Sequence, residues 1–110
     1  MYHLLLIDFY QIYLKEKLIK NGVRIIQPDT VYIENNVKIS DGVIIEPNVV
    51  IKKNVNIGRE TLIKSFSYIE DCNIGNYCQI GPFARIRPES KISNKVKIVV
   101  EGAINLLNFF

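Results

Sequence analysis

Isoleucine returns every six residues through most of this chain, at Ile33, Ile39, Ile45, Ile51, Ile57, Ile63 and Ile69. After one five-residue step the beat resumes at Ile74, Ile80, Ile86, Ile92 and Ile98. Four residues after most of these stands a small or β-branched residue: Val37, Val43, Val49, Val55, Thr61, Ser67, Cys78, Ala84, Ser90 and Val96. A period of six matches neither an amphipathic helix nor one long half-buried strand. It predicts a coil of short strands joined by tight corners, each layer stacked on the last. Three hexads make one triangular turn, so residues eighteen apart should stack as Ile33/Ile51/Ile69, Ile39/Ile57 and Ile45/Ile63. With the short step, the columns continue as Ile69/Ile86, Ile57/Ile74/Ile92 and Ile63/Ile80/Ile98. The missing residue therefore shortens a corner without breaking register.

Corner chemistry agrees. Asn36, Gly42, Asn48 and Asn54 each fall three residues after an isoleucine, where a sharp turn needs tolerance of positive φ. Pro47, Pro82 and Pro88 fall two after one, where a missing backbone N–H matters least. About four turns result, enough for a repeat stack. Ahead of them, Asp8 is placed to cap a helix from Phe9 to Lys20, with Gln11 in the capping-box position and Asn21-Gly22 as the stop. Its apolar side (Phe9, Ile12, Tyr13, Leu18, Ile19) is expected to cover an open end of the coil. The chain thus divides into an N-terminal segment and helix over 1–22, the coil over 23–98, and an apolar tail over 99–110 on which no hexad is placed.

The 110 residues suit one small domain, and 48% hydrophobic with 23% charged residues excludes a disordered tail. A net charge of +3, mixed along the chain, gives no basis for nucleic acid binding and leaves room for an anionic small molecule. Leu4 to Ile7 is too short to span a membrane and lacks the flanks of a signal peptide, so no membrane partner and a cytoplasmic location are expected. Cys72 and Cys78 match no zinc or redox spacing and read as small reduced structural residues.

The hexad, aliphatic at its first position and small at its fifth, resembles the left-handed parallel β-helix of bacterial hexapeptide-repeat acyltransferases. Two stretches sharpen the likeness. Asn21-Gly22-Val23-Arg24-Ile25-Ile26-Gln27-Pro28-Asp29-Thr30-Val31-Tyr32-Ile33 is similar to the entry into that coil in one family, and Ile80-Gly81-Pro82-Phe83-Ala84-Arg85-Ile86-Arg87-Pro88 to a signature further along it. The family is the bifunctional glucosamine-1-phosphate acetyltransferase and N-acetylglucosamine-1-phosphate uridyltransferase. The resemblance implies an all-β fold, a left-handed β-helix of about four turns after one short α-helix, assembled as a homotrimer. It also implies uridylyl transfer with magnesium in an N-terminal α/β domain, and acetyl transfer from acetyl-CoA to glucosamine-1-phosphate on the coil.

Carried onto this chain, the likeness covers about Lys15 to Ile98 and leaves most of that chemistry unassigned. The acetyl-transfer base in this superfamily is a histidine. The one histidine here, His3, precedes the helix and reads as a solvated terminal side chain. A Ser-His-Asp triad and a three-histidine metal site are excluded on the same count. No catalytic, metal-binding or cofactor-binding residue is assigned. Arg87 is the one carried-over position, matching the arginine that contacts the sugar phosphate in the family. Its planar fork of donors suits phosphate oxygens, although a solvated arginine, with or without Glu89 as a partner, is the plainer alternative. Arg85 is a weaker candidate; Tyr77 and Phe83, near corners, are placed to line a groove, with core packing or trimer contact the plainer readings. Residues 99–110, with Ile104, Leu106, Leu107, Phe109 and Phe110, leave the family pattern. A truncated or frameshifted enzyme is therefore the first expectation and a non-catalytic trimeric scaffold the second; ice binding lacks the threonine arrays it needs.

Overall fold

The computed structural model describes residues 2–99, with side chains from Phe9 onward. Helix α1 (Tyr2–Lys20) leads into thirteen short strands that wind into a left-handed parallel β-helix with three flat faces. The first face stacks β1 (Arg24–Ile25), β4 (Ile44–Ile45), β7 (Leu62–Ile63), β10 (Gln79–Ile80) and β13 (Lys97–Ile98). The second stacks β2 (Tyr32–Ile33), β5 (Val50–Ile51), β8 (Tyr68–Ile69) and β11 (Arg85–Ile86). The third stacks β3 (Val37–Ile39), β6 (Val55–Ile57), β9 (Cys72–Ile74) and β12 (Ser90–Ile92).

The isoleucine columns form as expected. Ile33, Ile51, Ile69 and Ile86 pair in register, as do Ile39, Ile57, Ile74 and Ile92, and Ile45, Ile63, Ile80 and Ile98. Ile33, Ile45, Ile51, Ile63, Ile69 and Ile80 are wholly buried. Each such side chain contributes roughly 1.5–3 kcal/mol of hydrophobic stabilisation over its exposed state. The five-residue step falls in the corner between β8 and β9, where Asp71 takes φ 50° and Cys72 fills the inward slot. In the first coil a 3-10 turn, Pro28–Thr30, lengthens the corner, so Ile25 pairs with Ile45 twenty residues on.

Polar groups reach the interior only where they find partners. The Thr61 hydroxyl donates to the Gly75 carbonyl at 2.8 Å and accepts the Cys78 N–H at 3.2 Å. The Ser67 hydroxyl accepts the Ala84 N–H at 3.4 Å. Among the described residues no buried side-chain nitrogen or oxygen lacks a hydrogen bond, as a stable interior requires.

Three expectations need correction. Asp8 does not cap a helix, because α1 begins six residues before it and Asp8 lies inside. Of the apolar side expected to pack, only Leu18 turns inward. Leu14, Lys15 and Leu18 pack inward with Gln11, while Phe9, Ile12, Tyr13 and Ile19 stay exposed. The cause is the bare backbone edge of the first coil, which needs hydrogen bonds more than apolar cover. Gln11 Nε2 donates to the Ile33 carbonyl at 2.7 Å and its Oε1 accepts the Ile33 N–H at 3.1 Å, in place of a missing strand. Lys15 Nζ donates to the Pro28 carbonyl at 2.6 Å. Thirdly, Asn36 is not in the left-handed region, unlike Gly42, Asn48 and Asn54. It lies in the first coil with no corner beneath it, and its side-chain amide donates to Asn54 Oδ1 at 2.5 Å. The apolar tail expected over 99–110 lies, past Val99, outside the described residues.

Candidate functional site

Strand alternation sends the isoleucine that opens each hexad inward and its two neighbours outward, so each face carries two outward columns. On the second face one column runs Tyr32, Val50, Tyr68, Arg85. The other follows the isoleucines as Glu34, Lys52, Glu70, Arg87. Arg87 stands at the last described level of this face, exposed, one residue past Ile86. It makes no ion pair with Glu89 among the described residues, so here it is a solvated arginine.

Arg85 is engaged differently. Its guanidinium lies 5.4 Å from the Tyr68 ring centroid, and Lys52 Nζ lies 5.3 Å from the Tyr32 ring while approaching Glu34 Oε1 at 3.9 Å. Exposed contacts of this kind are worth about 1 kcal/mol or less each. Arg85 and Arg87 therefore share one flat face rather than a cleft. A hollow of about 180 Å³ lies around the next corner, lined by Asn54, Asp71, Cys72, Asn73, Glu89, Ser90 and Lys91. Two of its walls are carboxylates, which oppose a phosphate.

Tyr77 and Phe83 do not line a common groove. Tyr77 turns the corner from the third face to the first, and Phe83 the corner from the first to the second. Both are more than half exposed, which rules out core packing. Phe83 instead stacks on Phe66 of the coil below, ring centroids 5.1 Å apart and 6° from parallel. The spacing of Phe66 and Phe83, seventeen residues with the short step between them, was the signal that pairs them.

The cysteines are free and buried. Burial pushes the Cys72 thiol up to about 11, with the Asp71 carboxylate adding to the effect, so it is a neutral packing group and not a nucleophile. His3 lies in α1, and its side chain falls outside the described ones. No three His, Cys, Asp or Glu side chains converge among the described residues. No helix among the described residues is long and apolar enough to cross a membrane.

Coil, register and corner chemistry define a hexapeptide-repeat β-helix domain. The family model described as GMPPB C-terminal domain, the β-helix domain of a nucleotidyltransferase family, matches residues 25–107, and the chain belongs to that family. None of the curated proteins matches it.

Proposed function

We propose that the chain is the β-helix scaffold of an enzyme that builds a nucleotide sugar, and that it carries out no reaction by itself. On this reading the whole enzyme acetylates glucosamine-1-phosphate with acetyl-CoA and then transfers a uridylyl group, making UDP-N-acetylglucosamine in the cytoplasm for cell-envelope polymers. The coil holds subunits together and offers Arg87 to the sugar phosphate, beside a base and an acetyl-CoA site that these 110 residues do not supply. The observation that carries this reading is the match of residues 25–107 to the C-terminal β-helix of a nucleotidyltransferase family. The choice of sugar rests on the likeness of Asn21 to Ile33 and of Ile80 to Pro88 to the bifunctional enzymes.

The test is thiol release from acetyl-CoA with glucosamine-1-phosphate as acceptor. The purified chain should give no turnover above buffer. Mixed with a separate β-helix segment that carries the family's histidine and acetyl-CoA coils, it should gain activity. Arg87→Ala should then lower that activity about 10- to 100-fold, as expected for a charged hydrogen bond. Robust turnover by the chain alone overturns the scaffold reading. Complemented activity indifferent to Arg87→Ala overturns the phosphate contact.

A further inference from the structure

The three faces differ in one property that bears on self-association: what each presents when turned over against a copy of itself. On the second face, consider a twofold axis along the strand direction, passing between β5 and β8. It brings Lys52 opposite Glu70 of a second copy, Glu34 opposite Arg87, Val50 opposite Tyr68, and Tyr32 opposite Arg85. Every level is attractive, and because the axis repeats each contact the dimer holds four ion pairs, two apolar contacts and two cations over aromatic rings. The match arises because the outer column alternates acid, base, acid, base over its four described levels.

Neither other face survives the same operation. The third would set Lys38 against Lys91 across Asn56 and Asn73. The first has five strands, so the axis runs along β7 and sets Arg24 against Lys97 and Lys64 against itself. The second face is also open, since Tyr32 remains 37% exposed beside α1 and the Lys52 and Glu34 side chains remain 33% and 29% exposed.

We propose that the second face is a self-association surface whose partner is a second copy of this chain, its stack axis reversed. The proposal rests on the scaffold reading only in taking the coil as an assembly element, and it departs from the threefold association that the resemblance implied. The face is small beside the roughly 800 Å² per partner of a standard stable complex, so charge matching carries the specificity. In the dimer Arg87 faces Glu34 of the second copy, and a sugar phosphate competes for the same guanidinium.

Sedimentation of the purified chain at low salt tests this. A dimer is expected that weakens as salt rises. Glu70→Lys sets two lysines opposite each other and should raise the dimer dissociation constant at least about 100-fold. Adding Lys52→Glu to that variant restores the intermolecular pair while placing like charges next to each other within each column. The double variant should therefore dimerise again and melt below the parent. A parent that sediments as monomer or trimer, or a double variant that stays monomeric while retaining the parent's β-sheet circular dichroism, overturns the proposal. If the double variant loses that β signal, Arg85→Glu with Tyr32→Lys gives the same reversal and restoration at the outer level. Failure here leaves the acetyl-transfer complementation unaffected, so the two readings fall separately.

Discussion

Glu60, Phe66, Tyr77, Phe83, Glu89 and Lys95 all hold φ between 57° and 63°, a region that costs an ordinary L residue roughly 1–2 kcal/mol. What holds them there is the coil beneath. Phe66 N–H donates to the Asn48 carbonyl at 2.9 Å, Tyr77 to Arg59 at 2.8 Å, and Phe83 to Ser65 at 3.0 Å. The corner is thus set by position in the hexad and not by residue type. Gly42, Asn48 and Asn54 were legible as corners because their chemistry suits positive φ, whereas the bulky residues at equivalent positions were not. Glu89→Asn, which suits the left-handed region and removes a carboxylate stacked near Asp71, should stabilise the fold by about 1 kcal/mol in thermal or urea unfolding. Cys72 sets a pH limit at the same scale. Its thiol stays protonated to about 11 in the folded chain against 9.0 for an unperturbed thiol. Between those values the unfolded chain binds fewer protons, so stability is full below pH 9 and falls as pH rises toward 11. Melting temperatures across that window should fall for the parent and much less for Cys72→Ala.

At the scale of elements, α1 shows how a correct assignment can carry the wrong face. Its presence and its end at Lys20 were legible from Asn21-Gly22. Its orientation was not, because hydrophobicity alone favours burying Phe9 and Ile12. The open edge of β2 instead draws in the Gln11 amide, a demand visible only once the coil exists. Gln11→Ala leaves both backbone groups of Ile33 without their partner and should cost about 1–3 kcal/mol, read from the unfolding midpoint. Gln11→Leu, which adds apolar cover but no hydrogen bonds, should not restore that loss. The second face shows a similar limit. The alternation of Glu34, Lys52, Glu70 and Arg87 is hidden in the linear sequence, since its members are eighteen, eighteen and seventeen residues apart.

For the whole molecule, the six-residue beat was enough to place every isoleucine column and the shortened corner. An inward side chain must meet its counterpart one turn away, and only one register achieves that for all twelve positions. The site was far less legible. Arg87 was located correctly on an outer face, but a flat face bears no cleft from which a ligand follows, and family likeness supplies what local geometry does not. The central claim is that this chain is one cooperative stack held by registered isoleucines, with everything functional carried on its outside. Ile63, wholly buried between Ile45 and Ile80, is the place to test it. An unpaired buried charge costs about 3–5 kcal/mol, a large part of the roughly 5–15 kcal/mol that holds a domain folded. Thermal melting followed by circular dichroism should show Ile63→Asp losing the cooperative β transition altogether; a variant that melts like the parent would contradict the stack.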